Sequence, residues 1–207
     1  MWPGIGKMSE SPDTFEARVE RFIRIYGMLG AKERVLAAVS GGADSVALLV
    51  VLCRLGFKVE AAHFDHQTRG GESRIDAVFT GDLAKRLGIP CHHGSEAIEA
   101  VAASLGRSFE DYARERRYGF LYRVARAQGC TAVATGHHAD DQAETVLLRL
   151  LRGSSPSGLG GIPPVREVAG LRLIRPMLGI RRQELRSWLR AQGLVWREDA
   201  TNSDRKI

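Results

Sequence analysis

Cysteine is scarce in this chain of 207 residues: Cys53, Cys91 and Cys130 stand far apart and make no CxxC pair. That excludes a zinc ribbon, a cysteine-held iron–sulfur cluster and a disulfide framework, and the three thiols read as reduced and structural. Long apolar runs are missing too, so no segment reads as a membrane span. The opening "MWPGIGKMSESPD" lacks the basic start and apolar block of a secretion signal; it reads as a loose extension of a cytoplasmic chain. Two nucleotide-binding signatures are also absent, GxGxxG and GxxxxGK followed by Ser or Thr.

What is present suits a soluble globular domain, with 44% hydrophobic and 26% charged residues. The formal charge of +6 is unevenly placed: from Arg149 onward there are 12 Lys and Arg against 5 Asp and Glu, leaving 18 against 19 in the first 148 residues. A basic end fits a polyanionic partner, or a solvated face with none.

Residues 14–29 place Phe15, Val19, Phe22, Ile23 and Tyr26 at helical spacing. "RVLAAVS" then reads as a buried strand, "DSVALLVVLCRLG" as a helix stopped by Gly56, and "KVEAAHFD" as a second strand. Strand and helix keep alternating through "ESRIDAVFTGDLAKRLG", "IPCHHG", "SFEDYARERRYGFLYRVARAQG", "CTAVATGH" and "DDQAETVLLRLLRG". The pattern predicts an α/β domain over residues 31–155, a doubly wound parallel sheet with helices on both faces and ligands at the carboxyl ends of its strands. Residues 1–30 read as an extension and packing helix. Residues 156–207 read as a long Gly/Pro/Ser loop followed by a short basic C-terminal appendage, with "LRLIRPM" as a strand and "RRQELRSWLRAQG" as a basic helix.

The strand-to-helix junction Ser40-Gly41-Gly42-Ala43-Asp44-Ser45 is the first chemical signal. Paired glycines bring backbone close to a ligand, and the helix that follows offers free N–H groups and the positive end of its dipole, which together suit phosphate. With no lysine in the loop, the phosphate charge needs backbone amides, Mg2+ and arginines from elsewhere, and Asp44 is placed to hold the metal. The bland alternative is a tight turn with Asp44 or Ser45 as a helix cap. The second signal is "ATGHHADDQAETVLLRLLRGS". His137, Asp141 and Glu144, at i, i+4 and i+7, share one face near a helix start, a combination able to bind a cation, move a proton or recognise an ammonium group. His138 and Asp140 there read more simply as first-turn capping groups.

The motif Ser40 to Ser45 resembles the SGGxDS signature of the PP-loop pyrophosphatases, which cleave ATP to AMP and pyrophosphate. In order along the chain, "ARERRYGFL", "ATGHHADDQAETVLLRLLRGS", "RGSSPSGLGGI" and "GLVWREDATNSD" resemble blocks of the tRNA(Ile)-lysidine synthases. The resemblance implies an adenine nucleotide α-hydrolase-like fold and a two-step ligation. C2 of the wobble cytidine of tRNA(Ile) with a CAU anticodon is activated by adenylation, and free L-lysine then displaces AMP to give lysidine. It implies ATP and Mg2+ at Ser40, Gly41, Gly42, Ala43, Asp44 and Ser45, with Asp44 on the metal and Arg117 and Arg152 toward the phosphates or adenylate. His137, Asp141 and Glu144 would form the lysine and cytidine site. Arg181, Arg182 and Arg186 on the basic helix are candidates for tRNA contact, a homodimer stays open, and missing C-terminal tRNA-binding domains are expected after residue 207.

One departure stands out: His66-Gln67-Thr68-Arg69 occupies a place where the family more often has His-Gly-Leu-Arg, which puts the pose of His66 in question. Rival readings are a tRNA thiolase, which needs a cysteine pair, a sulfonucleotide reductase, which needs a cysteine in its terminal segment, and a nucleotide-binding module without catalysis.

Overall fold

In the computed structural model, residues 13–67, 72–153 and 160–198 are described. The middle of the glycine-rich loop, Thr68 and Arg69, and the end of "GLVWREDATNSD" lie outside them. The described residues form six strands, β1 (Arg34–Ala38), β2 (Lys58–Asp65), β3 (Cys91–Ser95), β4 (Ala132–Ala134), β5 (Val165–Val168) and β6 (Leu171–Ile174). They also form seven helices: α1 (Phe15–Ile25), α2 (Ala43–Arg54), α3 (Glu72–Leu87), α4 (Ile98–Ser104), α5 (Phe109–Ala127), α6 (Ala139–Leu151) and α7 (Arg182–Ala191).

The strands form one sheet in the order β3-β2-β1-β4-β6-β5. All pairs are parallel except β5 with β6, so the expected parallel sheet carries one antiparallel edge. β5 lies inside the stretch read as loop. Four residues between Pro164 and Gly170, two exposed between two half-buried, carry no period-2 signal, and the ladder to β6 is what makes them a strand.

Pleating explains why the central strands are apolar throughout. Val35 and Ala37 of β1, and Ala132 and Ala134 of β4, face a core shared with α1, α2, α3 and α7. Leu36 and Val133 face the opposite core with Phe120, Leu121 and Ala125 of α5. Helices on both faces therefore make the sheet doubly wound.

The helices and strand flanking the central segment pack into the same core. Phe15 of α1 stacks on Trp188 of α7 with ring centroids 4.4 Å apart, and Leu185, Trp188 and Leu189 join the core under α2. β6 pairs directly with β4. The apolar residues of this stretch supply a wall of the main core.

From β1 the chain moves outward to β2 and β3 and then returns to β4 on the other side, so the loops after β1 and β4 part company above adjacent strands. A crevice opens at such a switch point. Its width is set by Gly136: a Cβ there would meet the backbone carbon and oxygen of Asp44 at 3.0 Å, and the nitrogen of Ser45 at 3.3 Å. Gly136→Ala is expected to push the start of α2 away from the end of β4. The expected cost is about 1–3 kcal/mol in urea denaturation; unchanged stability would show the two segments are free to separate.

Candidate active site at the strand switch

The phosphate-loop candidate is held from within. Gly42 is the cap residue of α2, and Gly41 has φ +97°, a conformation that favours glycine. The Ser45 hydroxyl accepts the N–H groups of Ser40 and Gly41, each at 3.1 Å, and donates to the Gly42 carbonyl at 2.9 Å. Ser45 is thus a clasp across the loop rather than a cap, while the first-turn N–H groups of α2 have no acceptor within their own helix. From the far side, Arg197 donates its backbone N–H to the Gly41 carbonyl at 2.9 Å and its Nε to Asp76 at 2.9 Å.

A cavity of about 320 Å³ opens beside this loop. Ser40 lines it from the loop after β1, Asp44 and Ser45 from the first turn of α2, Phe64 and His66 from the end of β2 and just beyond it, Arg117 and Leu121 from α5, and Thr135, His137 and Asp141 from beyond β4. Of the residues singled out in the sequence, Arg117, His137 and Asp141 therefore meet at the phosphate loop. Glu144 does not: it is exposed on α6 and is not among the lining residues. His137 precedes the helix, whose cap residue is His138, so the helical spacing that joins it to Glu144 in the sequence does not apply. Arg152 follows the last residue of α6, exposed at the end opposite the cavity.

His138 and Asp140 do more than the sequence suggested. His138 is fully buried, and its Nε2 accepts from Arg182 Nε at 3.1 Å, leaving the proton to Nδ1. That Nδ1 has no hydrogen-bond partner among the described groups and faces the carboxylates of Asp140 and Asp141 at 3.6 and 3.5 Å. Asp44 Oδ2 lies 3.5 Å from Nε2. Asp140 accepts the Arg182 backbone N–H at 2.8 Å, which holds its carboxyl below the usual carboxylate range; it caps α7 rather than α6. Asp141 accepts the His138 N–H at 2.9 Å. Arg182, expected as a tRNA contact, is therefore tied to the floor of the site. Arg181 is exposed at the cap of α7, and Arg186 is half-buried with its Nε unpartnered among the described groups.

His137 is neutral in this setting. Burial, followed by the charge of Arg175, pushes its pKa down to about 4, and Nδ1 lies 2.9 Å from Thr135 Oγ1. His66, whose pose was in question, does line the cavity, its ring edge-on to Phe64 with centroids 5.1 Å apart. Burial and then Arg117 lower its pKa. Gln67 holds the turn with φ +51°, the conformation glycine adopts at less cost, so the fold is kept with a strained residue.

Asp44 Oδ1 is buried without a partner among the described groups. One such oxygen beside a phosphate loop fits a cation that takes most of its ligands from phosphate and water, as Mg2+ does. No cluster of three or more His, Cys, Asp or Glu able to hold a metal by itself occurs among the described residues. No described helix is long and apolar enough to cross a membrane. Burial raises the thiols of Cys53, Cys91 and Cys130 to about 12, 11 and 11, which keeps them protonated and away from the sulfur chemistry of the rival readings.

A PP-loop domain model matches residues 12–207. The chain belongs to the PP-loop domain family. Curated relatives include the tRNA(Ile)-lysidine synthase of Symbiobacterium thermophilum, 49% identical over 189 residues that cover 89% of this chain and 39% of that protein. Those of Thermus thermophilus and Geobacter sulfurreducens are 44% and 42% identical, covering 89% and 93% of this chain and 34% and 41% of theirs. The PP-loop chain thus spans about two fifths of the length of these relatives or less. Among solved structures, the U34-tRNA thiolase NcsA of Methanococcus maripaludis superposes with a TM-score of 0.74 at 18% identity, covering 88% of this chain and 64% of that one. The NH3-dependent NAD synthetase of Campylobacter jejuni gives 0.55 at 15%, covering 86% and 72%. At these identities the two structures speak for the PP-loop fold alone.

Because the folded His137 titrates near 4 against an ordinary 6.5, the unfolded chain binds the extra proton between those values. Its contribution to stability is therefore intact above about pH 6.5 and is lost as pH falls toward 4. Burial shifts His66 and His93 the same way. His137→Gln should lose less stability between pH 7 and pH 5 than the wild type in denaturant titrations; equal losses would contradict a buried neutral imidazole.

Proposed function

We propose that this chain is the ATP-cleaving domain of a tRNA(Ile)-lysidine synthase. It would join free L-lysine to C2 of the wobble cytidine of tRNA(Ile) with a CAU anticodon and release AMP and pyrophosphate. The observation that carries the reading is the convergence of Arg117, His137 and Asp141, from separate segments, on the cavity beside the SGGADS loop. The names of the curated relatives support it.

The phosphates of ATP would sit on the loop amides and the N-terminus of α2. Mg2+ held by Asp44 would neutralise phosphate charge. Oxygen O2 of the cytidine attacks the α-phosphorus, pyrophosphate leaves, and C2 is then open to the lysine amine, whose attack expels AMP. Arg117 is half-buried, and its guanidinium lies over the Tyr118 ring, 5.4 Å from the centroid, an arrangement that leaves its N–H donors for charge developing at the α-phosphorus. Lysine must bind as an ammonium and attack as an amine. Asp141 supplies the carboxylate, and His137, kept neutral mainly by burial and then by the charge of Arg175, supplies an uncharged acceptor beside it. Glu144 has no place in this scheme.

Asp44→Asn is expected to lower pyrophosphate release at least about a hundredfold while leaving the denaturation midpoint nearly unchanged, since its buried oxygen satisfies no donor among the described groups. Turnover close to wild type would remove the metal role. Arg117→Ala should reduce the rate of adenylation by about 10²–10³ with a far smaller change in ATP affinity; equal losses in both would assign Arg117 to ground-state binding. The function itself is tested by incubation with ATP, Mg2+, radiolabelled lysine and the CAU-anticodon tRNA. Label should enter the RNA, and label that stays free while ATP is cleaved would refute the ligation.

A further inference from the structure

Arginines that pack against the body of this molecule commonly have carboxylate partners. Arg54 pairs with Glu16 at 2.9 Å, Arg34 with Glu60 at 2.6 Å, Arg116 with Glu96 at 2.7 Å, Arg197 with Asp76 at 2.9 Å, and Arg172 with Glu33. Arg175 is more deeply buried than any of these, at 4% exposure, and has no such partner among the described residues. Its Nη1 donates to the Pro163 carbonyl at 2.6 Å, but its Nε is buried and unpartnered among the described groups. The charged neighbours acting on it are Arg114 and Arg166, which add to burial in lowering its pKa, and the groups that oppose them are Tyr118 and Tyr122. An uncompensated buried guanidinium costs several kcal/mol unless an anion meets it.

The surroundings share the same shortage of negative charge. Arg114, Tyr118 and Tyr122 lie at i, i+4 and i+8 on one face of α5. The Arg114 and Arg117 guanidinium groups sit 5.1 and 5.4 Å from the Tyr118 ring centroid, and Tyr122 lies 5.8 Å from it, tilted by 30°. The Tyr118 hydroxyl, like Arg175 Nε, is buried with no partner among the described groups. Arg166 is brought in by the antiparallel register that sets it opposite Leu173, two residues before Arg175. All of this stands at the carboxyl end of β6, next to the switch-point cavity, since Arg175, Arg114 and Arg117 are the arginines that depress His137.

We propose that Arg175, Tyr118, Arg114 and Arg166 form a subsite for the phosphodiester backbone of single-stranded RNA, immediately beside the nucleotide that enters the cavity. The inference rests on the RNA substrate argued above and deepens it. Four donors of positive or hydroxyl character with interleaved aromatic rings match how unpaired RNA is held, phosphate on arginine and base on ring. Exposure grades from Arg114 and Arg166 at the rim to Arg175 at the base, so a strand can be drawn in from solvent.

The test uses the full chain and a fluorescein-labelled 17-nucleotide stem-loop RNA with CAU in its loop. The rim variant Arg114→Gln/Arg166→Gln alters only exposed side chains and should raise Kd about tenfold. The slope of log Kd against log salt should fall by about 0.7 for each phosphate that the variant no longer neutralises. Affinity for ATP should be unchanged. Tyr118→Phe and Arg175→Lys, which preserve packing and charge respectively, should each weaken RNA binding several-fold. RNA affinity and salt slope equal to wild type in all three would overturn the subsite, as would a defect confined to the KM for free lysine, which would make this a carboxylate site. If the wild-type chain itself ignores the RNA, the ligase reading falls with it; if it binds and the variants match it, the subsite alone falls.

Discussion

Two neighbouring strands whose chains leave in opposite directions set the terms for everything else in this molecule. β1 and β4 run side by side, and the loops beyond them must open a helix each, α2 and α6, within a few ångströms of one another. That is tolerable because position 136 has no side chain and position 41 can take a positive φ. The result is two helix N-termini aimed at one small volume. An anion there meets two dipoles and a set of unsatisfied amides before any charged side chain is counted.

Charge is arranged to the same end. Carboxylates near the loop are tethered: Asp141 to the His138 amide, Asp140 to the Arg182 amide, and the imidazole of His138 lies between them with Arg182 behind it. This polar network around the buried His138 fastens α6 to α7. The arginines of the α5 face, in contrast, have little acid to answer them. A site held acidic on one side and basic on the other can bring an amine and a phosphate to the same carbon without either being neutralised by the wrong partner.

Much of this was legible in the residues. The βαβ alternation followed from apolar runs and glycine stops. The loop followed from paired glycines at a strand end. Other features were hidden for physical reasons. β5 exists because β6 offers it a ladder, which no local pattern records. His137 looked helically aligned with Asp141 and Glu144 only because helical spacing was extended back across a cap residue, and Glu144, one turn on from Asp141, is exposed and off the cavity. His138 and Arg175 look ordinary in sequence, a second histidine and a single arginine after an apolar strand; what marks them is burial without a matching partner, and burial is a tertiary fact. The sign that could have pointed to Arg175 is its place, directly beyond the carboxyl end of a central strand.

The central claim is that the SGGADS loop receives the two outer phosphates of ATP so that cleavage falls at the innermost phosphorus. The most direct measurement is product analysis with ATP labelled at the γ-phosphate, in the presence of the CAU-anticodon RNA. Label recovered in pyrophosphate alongside AMP is the result this account predicts. Label recovered as inorganic phosphate alongside ADP, under conditions that exclude pyrophosphatase, would contradict it.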